Sequence, residues 1–447
     1  MAAEPGNKAS SPRRPACLSL TRLLRFLSSE YRIIFTLVFL ANFAGVVLFL
    51  WLWFIRGHPT QGTTALATSI NLAVSIVIRE EHVVNALYSL FTACPRTYPL
   101  WFRRRMGKIY HLGGLHSGCG VAATFWFILL SIEKTASFDS ETDKDAMRYT
   151  HIVVVYLLDC LLIAMIVMAY PGIRAKIHNA FEAVHRFAGW SCLGLLWCLT
   201  VLDVAIETPQ DKSLAVAVFS SANFWLVAIS TCSVVSTWLN CRKIPVESEK
   251  LSSHALRMYF NYTNPQPGTT IRLSSRPLLE WHAFATVNNP KENGFSVVIS
   301  NAGDWTKKVV NNPPRDIWVR RTPTCGVLRI APMFNSILLV ATGSGIAPCL
   351  PVILAQQTNI TLFWSTRDPL ETYGPNVASV VLDMGKNAHI HNTSTMGRPN
   401  TLPTIMNLYK RTGSEAVIVI SNPKLTIDLV LDLEALGVPA FGPIWDS

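Results

Sequence analysis

The chain has 447 residues, half of them apolar and only 15% charged, with a formal net charge of +11. That length suits two to three domains, each able to bury its own core, and so little charge sets the chain apart from soluble proteins. No RNA- or DNA-binding signature accompanies the basic balance, so nucleic acid is not expected as a partner. Basic cytosolic loops beside membrane helices account for the charge.

In chain order, residues 1–30 reach no long apolar run before residue 33. This excludes a cleavable signal pattern and reads as a disordered cytosolic tail. Long apolar runs then follow near 33–55, 63–90, 112–132, 150–171, 184–204 and 214–239. A bilayer core about 30 Å thick needs about 20 apolar residues per helix, and a β-span is far shorter. The spacing predicts a six-helix, multi-pass membrane bundle over 31–242, with the lipid bilayer as its partner. Arg13, Arg14, Arg22 and Arg25 precede the first run, and Arg96, Arg103, Arg104, Arg105 and Lys108 fill the loop after the second. Arg174, Lys176 and Arg186 surround the start of the fifth, and Arg242 and Lys243 follow the sixth. These clusters fall on one side, which predicts cytosolic termini in the plasma membrane or the endoplasmic reticulum. The ten cysteines show no metal-ligand spacing and read as small core hydrophobes, with Cys241 placed where a palmitoyl anchor would sit.

Polar residues interrupt the runs in two places. Arg79, Glu80, Glu81 and His82 break the second, and His178, Glu182, His185 and Arg186 open the fifth. Charge inside a span costs a few kcal/mol and faces a cavity or a partner. Glu182 and His185 share a helix face with His178. With His111 and His116 these groups can line one pocket beneath the bilayer surface. Glu81, His82, Glu182 and His185 are the candidate catalytic groups, for acid–base chemistry on a lipophilic, for instance prenylated, substrate. The competing readings are interfacial salt bridges that hold the bundle, a carboxylate–histidine metal site, and a non-catalytic regulatory protein.

From about 250 the pattern becomes short strands. Residues 271–273, 281–287, 295–300 and 316–319 alternate as in a small antiparallel barrel over 250–332. Then comes an apolar strand at 336–342, a Gly343-Ser344-Gly345 turn and a helix over 349–357. Buried strand, glycine turn and helix N-terminus together receive a phosphate. Further strands at 360–364, 388–391 and 416–420, with a helix near 424–435, predict a parallel nucleotide-binding α/β sheet over 333–447.

Several segments carry a family resemblance. Glu280 to Ala285, with His282 and Phe284, is similar to a His-Pro-Phe-Thr/Ser flavin motif. Ala341 to Pro348, including Thr342, Gly343, Ser344, Gly345 and Ala347, matches a glycine-rich NADPH turn. Leu362 to Asp368, with Ser365 and Arg367, resembles a strand end whose Arg takes the ribose 2′-phosphate. Gly397, Arg398 and Pro399 match a nicotinamide-nucleotide motif, and Trp445 stands where an aromatic shields the flavin ring. The C-terminal half thus resembles the ferredoxin–NADP reductase module of ferric reductases and NADPH oxidases, and the whole pattern a fungal group of membrane flavoproteins linked to secondary metabolism.

The resemblance implies FAD and NADPH as cofactors, and electron flow to an acceptor at the inner leaflet: oxygen, a quinone, a haem b or a lipophilic metabolite. The chain departs from the family at Ala283 and Ala285, and at Ile420, which stands where the family has a thiol. The family also stacks two haems on histidine pairs about fourteen residues apart. Fourteen residues beyond His111, His116, His178 and His185 stand Phe125, Leu130, Cys192 and Leu199. An outer haem is therefore not expected, and one inner haem would rest on His116 and His185. The predicted orientation has a direct consequence. Asn261, Asn359 and Asn392 each begin an Asn-X-Ser/Thr sequon, yet a cytosolic location leaves them bare. Endoglycosidase treatment of the protein from a eukaryotic host is expected to leave its mass unchanged.

Overall fold

The computed structural model describes residues 16–57, 62–142, 144–209, 211–288 and 293–443. The N-terminal half is helical: α1 (Ala16–Leu27), α2 (Glu30–Arg56), α3 (Thr63–Val77), α4 (Glu81–Thr92), α5 (Leu100–Met106), α6 (Gly113–Ser140), α7 (Ala146–Ala169), α8 (Pro171–Lys176), α9 (His178–Glu207), α10 (Leu214–Ser220) and α11 (Ala222–Leu239). Among the described residues five helical stretches are long and apolar enough to cross a bilayer. They are α2, the run Leu100–Ser140 ending in α6, α7, α9 and α11.

The second and sixth expected spans are each divided. The Glu80 carboxylate accepts the Val83 N–H at 2.9 Å, which caps α4 and starts a new helix after α3 ends. Ser221, in extended conformation, separates α10 from α11. At 15 residues α3 spans ~22 Å by its rise, short of a full hydrocarbon core. It packs tightly on α6 all the same. On the other side of α6, Gly114 and Gly118 admit α2 closely. A Cβ on Gly118 would lie 3.0 Å from that of Val38, and one on Gly114 would strike the Tyr31 carbonyl. At the end of the bundle away from the barrel, Asp203 of α9 accepts from Lys134 at 2.7 Å and from His151 at 2.8 Å, tying α6, α7 and α9 together.

No linker follows α11. Strand β1 (Cys241–Pro245) begins two residues after Leu239, and Cys241 itself pairs with Arg320 in the barrel. The remaining barrel strands are β2 (Glu247–Lys250), β3 (Ala255–Phe260), β4 (Thr269–Ser274), β5 (His282–Ala285), β6 (Phe295–Ser300) and β7 (Asp316–Cys325), with α12 (Asp304–Asn311) before β7. They form antiparallel sheets in the orders β1-β7-β4-β5 and β2-β3-β6. Alternating residues such as Leu256, Met258, Ile271, Leu273, Val297 and Val319 fill the space between them.

The last part alternates β8 (Ser336–Thr342), α13 (Ile346–Ala355), β9 (Asn359–Thr366), α14 (Pro369–Leu382), β10 (Ala388–Asn392), α15 (Thr393–Met396), α16 (Thr401–Thr412), β11 (Ala416–Ile420), α17 (Pro423–Ala435) and β12 (Ala440–Phe441). The sheet is wholly parallel, in the order β10-β9-β8-β11-β12. Burial on both faces explains why β8 and β11 read as unbroken apolar runs.

The basic loop between α4 and α6 is a clamp on this sheet. Arg103, 5% exposed, forks onto Glu415 at 2.7 and 3.2 Å and donates to the Met333 carbonyl at 3.0 Å. Lys108, equally buried, reaches Glu434 at 2.6 Å and the Ala440 carbonyl at 2.9 Å. Tyr88 and Ile109 join the same core as Ile330, Ile337 and Phe441. Helix α4 holds the barrel as well, because the Asn85 amide donates to Pro323 O and accepts from Cys325 N, both at 2.8 Å. The expected N-terminal tail also differs. Residues 1–15 lie outside the described residues, but α1 is a formed helix packed on α17.

The Arg103 fork and Asn335 hold the Glu415 carboxyl at about 2, against an ordinary value of 4.5. Because the folded value is the lower one, this stabilisation is complete above pH 4.5 and is lost as the pH falls towards about 2. Glu415→Gln is expected to flatten that acid limb of the unfolding profile and to lower stability at neutral pH, read by limited proteolysis or thermal melting.

Candidate functional site

The sheet reverses its winding between β8 and β11, so the carboxyl ends of these strands open a crevice of the kind that receives nucleotides. There Thr342 and Ser421 join hydroxyl to hydroxyl across the two strands. Gly343 turns through a positive φ of 51°, and its carbonyl accepts the Trp364 indole N–H at 3.0 Å. Ser344 at the tip is exposed, while Ala347 and Pro348 lie in the first turn of α13. No side chain caps that helix; the Ile346 N–H bonds back to the Gly343 and Ser344 carbonyls and Pro348 has none, so the Ala347 N–H and the helix dipole are what the first turn offers an anion. Gly345 serves another purpose. A Cβ there would strike the Ile420 carbonyl, so the residue is glycine for strand–turn packing. Ile420 is buried at this contact.

Two cations stand farther along the same edge. Ser365 is buried at the end of β9, and the Arg367 side chain beyond it is 82% exposed. Asp368, with a positive φ of 35°, is fixed by hydrogen bonds from Ser394 and from the Asn392 amide, which hold its carboxyl below the ordinary value. Arg398 is exposed on the loop after β10, where the His391 ring donates to Gly397 O at 2.9 Å. The crevice therefore gathers Thr342, Gly343, Ser344, Ala347 and Ser365 at its floor, and Arg367 and Arg398 at its rim.

The second site is on the barrel. His282 and Phe284 project from β5, and Trp305 of α12 stacks on both, with ring centres at 4.3 and 5.8 Å. Burial pulls the His282 pKa below its ordinary value against the opposing pull of Glu280 and Glu182, which favours the neutral ring at pH 7. Its Nε2 is buried with no hydrogen-bond partner among the described residues. The Nε2 lies 3.7 Å from the Glu280 carboxylate, so the motif presents a half-buried aromatic surface beside one carboxylate. Trp445 lies outside the described residues. Phe441, the other terminal aromatic, is buried against Phe334 and Gly107 in the clamp.

The third group lies above, in the bundle. His116 and His185 face each other with ring centres 6.1 Å apart. His116 Nδ1 donates to the Ser75 carbonyl at 2.8 Å, which leaves Nε2 as the ring's basic nitrogen. Such a backbone bond commonly orients metal-bound histidine. Two metal–nitrogen bonds of ~2 Å, with about 1 Å more to each ring centre, need about 6 Å. The ring centres are spaced near that value, although among the described residues no group of three or more His, Cys, Asp or Glu gathers around them. Glu182 pairs with His178 at 3.4 Å, and Glu182 is also the carboxylate whose field reaches His282. Arg186 of the same helix donates to the Leu278 carbonyl at 3.0 Å, so the start of α9 and the barrel segment before β5 form one contiguous tract.

Glu81 and His82 stand apart from that tract. The Glu81 carboxylate binds Arg272 of β4 at 2.6 Å, with Arg320 of β7 at 3.9 Å, so it fastens α4 to the barrel. His82 is exposed. Glu80 is occupied by capping and by Ser236 at 3.0 Å. Adjacency in sequence suggested one pocket, but Glu81 turns to the barrel, Glu80 to α11 and His82 outward. Ser75 and Trp305, which orient the two aromatic groups, gave no signal of their own in the sequence. Each acts across a long stretch of chain.

Comparison with known proteins finds similarity to proteins named as reductases. Residues 327–447 match the family described as "Adenylate-forming reductase 03009, C-terminal domain". Two Coprinopsis cinerea proteins align over nearly all of the chain. Adenylate-forming reductase 06235 is 38% identical over 418 residues, which is 93% of this chain and 40% of that protein. Adenylate-forming reductase 03009 is 37% identical over 429 residues, 96% of this chain and 41% of that protein. The chain thus spans about two fifths of the length of these relatives. Among solved structures, a Neisseria gonorrhoeae ferredoxin–NADP+ reductase with bound FAD and NADP covers 45% of this chain and 98% of its own, at 13% identity and TM-score 0.37. A Plasmodium falciparum ferredoxin–NADP+ reductase with 2′P-AMP covers 46% and 94%, at 12% identity and TM-score 0.35.

The close approach at Gly345 makes a prediction that needs no ligand. Gly345→Ala is expected to cost roughly 2–4 kcal/mol of stability in the last domain, visible in thermal melting, whereas Ser344→Ala at the exposed tip leaves the melt unchanged.

Proposed function

We propose that the chain is a membrane-bound flavin oxidoreductase module that takes electrons from NADPH through FAD to a lipophilic acceptor at the inner leaflet. The observation that carries this reading is the placement of His282. Arg186, next to His185, donates to the Leu278 carbonyl at 3.0 Å four residues before His282, so the barrel motif and the histidine end of the bundle adjoin. The reductase names of the two relatives support the chemical class.

In this reading the helical stretches, with α3 as the short sixth member, form the membrane domain, and both termini are cytosolic. The turn from Gly343 to Gly345 and the start of α13 take the pyrophosphate, Arg367 the 2′-phosphate, and Arg398 the nicotinamide nucleotide. His282 and Phe284 hold the flavin, which supplies hydride acceptance and one-electron release when bound. Glu182 and His185 are placed to give protons to an acceptor that is being reduced. His116 and His185 would hold a single haem, whose iron supplies one-electron transfer. Ile420 leaves the nicotinamide edge of the crevice apolar, without the proton-exchanging thiol of the resembling family.

Ala285 and Ile420 favour a second reading, a redox-degenerate enzyme that uses Glu182 and His185 for acid–base cyclisation or isomerisation of a lipophilic substrate. One spectrum separates the two. Detergent-purified protein is expected to show a flavin band near ~450 nm that NADPH bleaches, and Arg367→Ala to raise the KM for NADPH at least fivefold while sparing NADH. Colourless protein with NADPH-independent turnover would sink the oxidoreductase reading. A dithionite-sensitive haem band lost in His116→Ala would establish the haem.

A further inference from the structure

Helix α1 shows the rest of the protein one face and leaves the other uncovered. At 100° per residue, Leu20, Leu23, Leu24 and Leu27 fall on one stripe about 100° wide, with Arg22 opposite it. The four leucines are 60%, 51%, 56% and 53% exposed. Arg22 instead turns inward and binds two carboxylates of α17, Asp428 and Asp432. Among the described residues the helix is therefore pinned to the nucleotide-binding sheet by its polar side while its apolar side stays more than half exposed.

What covers the stripe follows from its neighbour. Only Ser28 and Ser29 separate α1 from α2, whose most apolar window is 6% buried in the fold. The leucine stripe leads directly into that exposed surface, so both meet the same medium. Arg25, exposed on α1, and Arg32, stacked over Phe26 at 3.7 Å, stand where the two helices meet. Arg25 lies on the polar face of α1, opposite the leucines, and such cations beside an apolar stripe complement anionic headgroups above an acyl layer. A protein partner would have to cover α1 and stop at the start of a lipid-facing helix.

We propose that α1 lies in the headgroup–acyl boundary of an anionic bilayer and straps the nucleotide-binding sheet to that surface through Arg22. The proposal rests on α2 crossing the membrane, as in the function proposed above. Helix α17 begins at Pro423, directly after the Ser421 and Asn422 end of the crevice. The strap thus fixes the height of one crevice wall above the bilayer.

The test uses the full chain in nanodiscs of mixed phosphatidylcholine and phosphatidylserine, with the photo-crosslinker p-benzoylphenylalanine placed singly at Leu24, Val47 or Lys386. Lipid adducts are expected at positions 24 and 47, and none at 386 on the nucleotide-binding domain. An adduct at 47 without one at 24 overturns the strap. So does a crosslink from 24 to a second copy of the chain, which would make the stripe a dimer contact. Absence of lipid at 47 overturns the membrane reading itself, and the strap with it. Arg22→Glu is expected to keep the lipid adduct at 24 while trypsin cleavage at Lys424 rises at least threefold. Unchanged cleavage would show that α1 does not hold α17.

Discussion

The arrangement depends on the burial of two cations from a helix-connecting loop against the parallel sheet. Arg103 and Lys108 are each 5% exposed, and each meets a carboxylate and a backbone carbonyl of the last domain. Ions this deep are tolerated only where geometry and hydrogen bonding compensate for lost hydration. Removing one partner leaves an uncompensated charge inside the joint. The clamp is thus specific in register as well as in affinity, because the sheet can dock only where Glu415 and Glu434 meet the loop. Everything at the junction inherits its geometry from that fit.

Because the sheet and the barrel are fixed separately, the barrel by Glu81 and Asn85 of α4 and the sheet by the loop, the crevice between strands β8 and β11 has a set position beneath the bundle. The same rigidity brings His282 under the start of α9. A carboxylate and two imidazoles then lie along a short path from the barrel surface to the interior of the bundle. Neutral imidazole with one nitrogen tied to a backbone carbonyl has a defined tautomer, and so a defined direction for its free nitrogen. The path ends there. Fourteen residues deeper the chain has Leu130 and Leu199, both buried among apolar neighbours, so the outer half of the bundle is closed to the same chemistry.

The relatives share this two-part organisation over nearly the whole chain while being more than twice as long. A fold of this kind constrains where chemistry happens more tightly than which substrate is used.

Much of this was legible from periodicity and turn chemistry alone. Apolar runs of helical length marked the long helices of the N-terminal half, because a helix satisfies its backbone groups within one segment. The strands β8, β9, β10 and β11 and the glycine turn could be read locally, since each is fixed by its own residues. What the sequence could not decide was partnership. Glu81 read like a pocket carboxylate but turned to Arg272, and the basic loop read as membrane-flanking charge but became the clamp. An ion pair's worth depends on which opposite charge is brought near and how far water is excluded. Both are properties of docked surfaces distant in sequence, so only the tertiary structure determined them.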